Sequence, residues 1–176
     1  MNIIFTPLNK QHFGLLLKWL QTPHVKEWWN KDVNWTPQLI EEKYSTYVEG
    51  YKQEGNTPKP IFAFIISVDE KPVGYIQMYN AYDFPREDGI SLEGLPNSLA
   101  AIDYFIGDPQ SLGKGIGSHT LKLFLHEHVF PAYKACFVDP DRVNTAAIRA
   151  YEKAGFRKVK EVQDGKVTWV INDGKR

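Results

Sequence analysis

Gly113, Gly115 and Gly117 stand at alternate positions in Gln110-Ser111-Leu112-Gly113-Lys114-Gly115-Ile116-Gly117, between an apolar strand-like run and an amphipathic helix. Lacking Cβ atoms, such residues let the backbone turn tightly and approach a ligand, so that successive N–H groups can face phosphate oxygens. The following helix adds its unpaired first-turn N–H groups and the positive end of its dipole. The chemistry implied is phosphate binding, although a ligand-free strand-to-helix turn has the same pattern. Neither the third-glycine spacing of a dinucleotide fingerprint nor the Gly-Lys-Ser/Thr ending of a nucleotide P-loop is present.

A second segment, Asn144-Thr145-Ala146-Ala147-Ile148-Arg149-Ala150-Tyr151-Glu152-Lys153-Ala154-Gly155-Phe156, joins an Asn cap, an amphipathic helix, a Gly stop and an aromatic that opens the next strand. Taken together, the two segments resemble the GCN5-related N-acetyltransferase (GNAT) superfamily. Its acetyl-CoA signature, Gln/Arg-x-x-Gly-x-Gly/Ala, is met by Gln110, Gly113 and Gly115. Its later helix commonly reads Asn-x-x-Ala-x-x-x-Tyr-x-x-x-Gly-Phe. The resemblance implies direct acetyl transfer from acetyl-CoA to an amine, with coenzyme A as product. It places the cofactor on Phe105, Ile106, Gln110, Ser111, Leu112, Gly113, Lys114, Gly115, Ile116, Gly117, Asn144, Ala147 and Tyr151.

Acetyl transfer to an amine needs a neutral nucleophile, a polarised carbonyl and help for the departing thiolate. The resemblance gives Tyr151 the last task, as a phenol beside the coenzyme A sulfur; the same ring also suits a core anchor beside Phe156. An amine arrives mainly as an ammonium, so a carboxylate must hold it and take its proton directly or through water. Asp103 is the candidate, because a carboxylate inside Ala101-Ile102-Asp103-Tyr104-Phe105 is costly unless it faces a polar cleft. An edge-strand Asp in solvent or beside an arginine is the alternative.

Within the superfamily the chain is most similar to the aminoglycoside 6'-N-acetyltransferases. The likeness runs through Trp19-Leu20, His24-Val25-x-Glu27-Trp28-Trp29, Pro72-Val73-Gly74-Tyr75-Ile76-Gln77-x-Tyr79, Ile102-Asp103, the glycine loop, Asp139-Pro140 and the Tyr151 helix, in that order. It implies a small polycationic acceptor and a role in antibiotic resistance. Acceptor contacts would come from Trp28, Trp29, Gln77, Tyr79, Asp83, Glu87, Asp88, Asp103 and Asp139. Trp28 and Trp29 suit an aromatic wall over a sugar, and equally core or lid packing. Asp139-Pro140-Asp141 also suits an ordinary turn, and Arg86 dilutes the acidic field of the loop that carries Asp83, Glu87, Asp88 and Glu93.

The central loop departs from the family pattern: it lacks the tryptophans and consecutive glutamates of some aminoglycoside enzymes, and its prolines reshape it. Acylation of a siderophore precursor is one alternative, opposed by the lack of a histidine in Asp103-Tyr104-Phe105-Ile106. Peptide N-terminal acetylation and a non-catalytic acyl-CoA-binding module are the others.

These residues need a scaffold to converge. Hydrophobic periodicity predicts a strand over Ile3–Leu8 and a helix over about 10–20, with a short helical piece around His24–Trp29 and a helix opened by Thr36-Pro37 that ends near Gly50 or Gly55. Strands follow over 61–68, 73–79 and 98–106, the last two separated by a long loop over 80–97. A helix over 118–129, a strand over 134–138, the Asn144–Ala154 helix and a hairpin of 156–162 with 167–171 complete the order. The family fold is an α/β (α+β) arrangement. Its twisted, mixed, mostly antiparallel sheet has six or seven strands with helices on both faces, and the cofactor lies where two parallel strands, 98–106 and 134–138, splay apart.

Composition narrows the setting. The 176 residues fit a single domain, 1–176, with 43% hydrophobic content to supply a core. With 21 basic and 21 acidic residues, no basic footprint points to nucleic acid. Cys136 alone cannot form an internal disulfide and reads as a small buried hydrophobe. Met1–Phe5 lacks signal-peptide character and no apolar run reaches membrane-spanning length, so the expectation is a cytoplasmic monomer or homodimer with no membrane partner. His12, His24, His119, His126 and His128 lack metal-ligand spacing and read as solvated helix residues; no metal is expected.

Overall fold

The computed structural model describes residues 1–86 and 88–175. The strands are β1 (Ile3–Pro7), β2 (Tyr51–Glu54), β3 (Thr57–Pro60), β4 (Phe62–Val68), β5 (Lys71–Asn80), β6 (Leu99–Ile106), β7 (Ala135–Val138), β8 (Arg157–Val162) and β9 (Val167–Asn172). The helices are α1 (Phe13–Leu20), α2 (Pro23–Lys26), α3 (Pro37–Glu49), α4 (Ile116–Phe124) and α5 (Thr145–Lys153). Seven strands form one mostly antiparallel sheet in the order β1-β4-β5-β6-β7-β9-β8. Its parallel step is β6 to β7, with Leu99, Ala100 and Ala101 opposite Ala135, Cys136 and Phe137.

The chain divides into two compact units, Met1–Gln77 with Asp103–Lys114, and Met78–Ile102 with Gly115–Arg176. In the first unit, α3 starts at the Thr36 cap, whose hydroxyl accepts the Leu39 N–H, followed by Pro37 at the first helical position. It stops at Gly50, where φ is 96°, a left-handed conformation that a side chain resists. α3 packs on α1 and buries Ile40, Tyr44 and Tyr47. Between α3 and β4 lies a feature missing from the sequence reading, the separate β2–β3 ribbon paired from Tyr51↔Pro60 to Glu54↔Thr57. Pro58 and Pro60 hid it, since proline removes a ladder donor; in a two-stranded ribbon their positions need none.

The second unit is built on a core of Leu99, Ala101, Ala135, Phe137, Trp169 and Ile171 with flanking residues of the 80–97 loop, Ala81 and Leu92. β8 pairs with β9 antiparallel and shifts register between Lys158 and Lys160. α5 ends at Gly155, where φ is 97°. The Asn172 amide there donates to the Ala154 carbonyl at 3.0 Å, satisfying a carbonyl that the helix end leaves open.

Candidate active site

β6 delivers the principal carboxylate. Side chains two apart on a strand share a face, so Tyr75 and Gln77 of β5 act together. The Tyr75 hydroxyl donates to Gln77 Oε1 at 2.7 Å, and Gln77 Nε2 donates to Asp103 Oδ2 at 2.9 Å. Tyr75 is fully buried and Gln77 nearly so. Burial pushes the Tyr75 hydroxyl well above its ordinary pKa, and the charge of Asp103 adds to that shift. Burial first, and the Asp103 charge second, likewise raise Tyr47 of α3 to about 12. Asp103 thus sits among phenols that stay protonated.

Aromatic packing backs this carboxylate. Trp29 meets Phe105 edge-on at 5.0 Å between centroids and Tyr75 at 6.0 Å, while Tyr75 stacks on Phe105 at 5.6 Å. Trp19 meets Phe105 edge-on at 6.1 Å. The two adjacent tryptophans differ: Trp29 packs on this aromatic cluster and is half-buried, whereas Trp28 is exposed. Phe105, expected at the cofactor, spends its side chain in the same core. The carbonyl of Ile106 pairs with His24 Nε2 at 2.8 Å, fastening α2 to the end of β6.

The solvated-helix reading holds for His119 and His126, which are exposed, whereas His12, His24 and His128 are half-buried. Beyond His24, His12 Nδ1 accepts the Asn9 N–H at 3.1 Å, His119 Nδ1 lies 2.8 Å from the Gly115 carbonyl, and His128 stacks on Phe124. Among the described residues no group of three or more His, Cys, Asp or Glu side chains could hold a metal ion.

After β6, Gly107 lets the chain pass under Trp19, where an added Cβ would lie 2.2 Å from the indole. Asp108 then organises the entry to the glycine loop. Its carboxylate accepts the Ser111 hydroxyl at 2.6 Å, Lys71 Nζ at 2.9 Å and the Gln110 N–H at 3.4 Å. Gly113 and Gly115 have φ of 73° and 75°, conformations that glycine enters without the Cβ penalty. Gly115 is the N-cap of α4, and no side chain caps that helix. An exposed loop, two left-handed glycines and an uncapped helix start fit a phosphate-bearing cofactor such as coenzyme A. Leu112, Lys114 and Gln110 are exposed, whereas Ser111 and Ile116 are buried.

In the second unit, Asn144 accepts the Ala147 N–H at 3.2 Å and so caps α5. Tyr151 is buried on α5 and meets Phe156 edge-on at 5.3 Å. Asp139, just beyond β7, is engaged by Arg86 Nη2, and the Arg86 guanidinium lies over Phe137 at 5.1 Å and Trp169 at 5.4 Å. Asp88 accepts the Ile90 N–H and the Gln163 amide, both at 2.9 Å, and these bonds hold its carboxyl below the usual range. Tyr79 meets Phe84 edge-on at 5.3 Å, and the charge of Asp83 reaches Tyr133. Glu87 lies outside the described residues.

Sequence reasoning assigned no role to Tyr75, Tyr47 or Tyr44, and treated Arg86 only as a diluting charge. The Tyr75-x-Gln77 spacing was the available signal, since it places a donor and an amide on one strand face. Nothing in the sequence links either to Asp103, 26 residues from Gln77.

The family described as Acetyltransferase (GNAT) domain matches residues 9–164. Aminoglycoside N(6')-acetyltransferase type 1 of Klebsiella pneumoniae is 30% identical over 169 residues, covering 93% of this chain and 79% of that protein. The Serratia marcescens protein of the same name gives the same figures. Among solved structures, AAC(6')-Ib in complex with ribostamycin and coenzyme A superposes with a TM-score of 0.81 at 26% identity, over 98% of this chain and 94% of that one. The same enzyme with coenzyme A and kanamycin gives 0.79 at 26% identity, over 98% and 95%.

Proposed function

This chain belongs to the GNAT acetyltransferase family, and on that premise we propose that it moves an acetyl group from acetyl-CoA to the 6'-amine of an aminoglycoside. Residues 1–176 act as one acetyltransferase domain in this reading. The observation that carries it is the Asp103 carboxylate, held by Gln77 on the strand that leads into the glycine loop. The relatives named for aminoglycoside N(6')-acetylation, and AAC(6')-Ib with its coenzyme A and aminoglycoside complexes, support the acceptor and the cofactor.

When bound, acetyl-CoA supplies a thioester whose carbonyl carbon is the electrophile. The backbone of Gln110–Gly117 and the start of α4 hold the pyrophosphate, with Asn144 and Ala147 of α5 as further contacts. Asp103 holds the incoming ammonium and accepts its proton, so that a neutral amine forms the C–N bond. The Tyr151 hydroxyl donates to the sulfur as the C–S bond breaks and negative charge collects there. Trp28, Asp83, Asp88, Glu87, Tyr79 and Asp139 contribute to holding the polycation, and Trp29 does so through the core it completes.

No helix among the described residues is long and apolar enough to cross a membrane. A cytoplasmic monomer or homodimer without nucleic-acid or membrane partners completes the proposal. The test is thiol release from acetyl-CoA with the purified protein against kanamycin-type aminoglycosides, polyamines, hydroxylamine-bearing lysine derivatives and N-terminal peptides. Acceptor-dependent release greatest with the aminoglycosides is expected. Efficient acetylation of only peptides or hydroxylamines overturns the acceptor, and binding of acetyl-CoA with no turnover on any amine overturns the catalytic reading.

A further inference from the structure

An ionised carboxylate can only accept hydrogen bonds. Gln77 must therefore turn its NH₂ toward Asp103, which leaves its Oε1 toward Tyr75 and makes the Tyr75 hydroxyl a donor. The observed contacts, 2.7 Å from Tyr75 to Gln77 and 2.9 Å from Gln77 to Asp103, satisfy this order at both steps. Because one charge sets the direction of the whole chain, reversing any member leaves a buried acceptor facing an acceptor, which is costly.

We propose that Tyr75 and Gln77 are positioning residues that aim Asp103, occupying its Oδ2 and leaving Oδ1 as the oxygen that meets the acceptor amine. This rests on the reading of Asp103 as the acceptor's carboxylate. Among the described residues the Asp103 side chain has one hydrogen-bond partner, Gln77, and it is on Oδ2. The rear of the chain is locked: the Tyr75 ring is stacked on Phe105 and set edge-on to Trp29 and to Tyr44, at 5.8 Å from the latter. The titratable groups coupled to the Asp103 charge are Tyr44 and Tyr47 from α3 and Tyr75 from β5. All three are raised by burial, so none changes charge in the range where an amine acetyltransferase works. Gln77, expected from the resemblance to touch the acceptor, is instead spent between two protein groups.

A donor on Oδ2 fixes the direction of Oδ1, and losing it frees the carboxylate to turn away from the acceptor. Removing the donor must therefore lower acceptor turnover through Asp103 and add nothing once Asp103 is itself replaced. A residue needed only for packing would lower turnover equally with and without the Asp103 carboxylate.

The experiment compares kcat/KM for a kanamycin-type acceptor and acetyl-CoA affinity in the wild type, Tyr75→Phe, Gln77→Leu, Asp103→Asn and the two double variants that combine Asp103→Asn with each of the first two. Gln77→Leu is expected to lower kcat/KM about tenfold at unchanged acetyl-CoA affinity. Tyr75→Phe keeps the ring and loses only the terminal donor, so it should lose less, in the same direction, at unchanged acetyl-CoA affinity. Neither substitution should cost further activity in the Asp103→Asn background, because both act through that carboxylate. Tyr75→Phe also keeps the test decisive if the Gln77 variants fold poorly. If it and every folded Gln77 variant keep wild-type kcat/KM, or lose as much again without the Asp103 carboxylate, while Asp103→Asn impairs transfer, the positioning chain is wrong and the reading of Asp103 stands. If Asp103→Asn itself keeps wild-type kcat/KM, that reading falls and the chain falls with it.

Discussion

Arg86 Nη2 hydrogen-bonds Oδ2 of Asp139. The carboxylate beyond β7 is thus met by a cation from the 80–97 loop before any acceptor reaches it. The guanidinium is mostly buried over Phe137 and Trp169, whereas the Asp139 side chain keeps 34% exposure. In the proposed acceptor site, an ammonium group would compete with Arg86 for this anion.

Arg86→Gln removes the competitor. For a polycationic aminoglycoside the acceptor KM should fall by about 2- to 5-fold, in line with the modest worth of partly exposed charge pairs. The dependence of KM on salt should steepen, because more unneutralised carboxylate charge is screened. Steady-state kinetics at two ionic strengths checks both, and an unchanged or higher KM at low salt removes Asp139 from acceptor binding.

Gly115 caps α4 at φ 75° with only His119 near the position of an added Cβ, at 3.6 Å. Gly115→Asp brings a negative charge to the loop proposed for the pyrophosphate, so acetyl-CoA affinity should drop at least about tenfold, equal to about 1.4 kcal/mol. Gly115→Asn tolerates the same backbone without the charge and should lose less. Calorimetry on the folded variants reads the difference. Wild-type affinity in Gly115→Asp would take the cofactor away from this loop.

Tyr151→Phe retains the ring that meets Phe156 and removes only the hydroxyl. Acetyl-CoA affinity and melting temperature should hold, while turnover falls on the order of 10- to 1000-fold if the phenol acts on the departing sulfur. Turnover equal to the wild type, with chemistry shown to be rate-limiting, assigns Tyr151 to packing.

Asp108 is held below its ordinary carboxyl range of 3.8, first by the Ser111 hydroxyl and next by Lys71. A group with a lowered folded pKa stabilises the fold above its unfolded value, and that stabilisation is lost as pH falls through the lower, folded value. Wild type should therefore exceed Asp108→Asn in stability at neutral pH, and the gap should close as pH drops below 3.8. Urea unfolding at neutral and acidic pH measures it. A gap that persists undiminished in acid means the carboxylate charge is not its source.

Much of the architecture could be read locally. Thr36-Pro37 and Gly50 bound α3 because capping and left-handed φ act within a few residues. The parallel step between 98–106 and 134–138 followed from the family resemblance and is found at Leu99–Ala101 with Ala135–Phe137. The β2–β3 ribbon was missed because Pro58 and Pro60 argue against a strand until its partner is known. Trp28 and Trp29 looked equivalent because adjacency says nothing about which ring packs on Phe105 and Tyr75 and which faces solvent.

Short stretches of the chain suffice to pick out the groups proposed for the chemistry: the Gln110–Gly117 loop, Asp103 on an apolar strand, and Tyr151 on a capped helix. Each is set by backbone preference or strand and helix periodicity, which operate over short stretches. What those groups face depends on how distant segments come together. Asp103 accepts from Gln77, which accepts from Tyr75, Asp139 is met by Arg86, and His24 is fastened to Ile106. The physical reason is that a side-chain hydrogen bond or ion pair acts over about 3 Å, while its partners here lie from 26 to 82 residues apart in all but the Tyr75–Gln77 link.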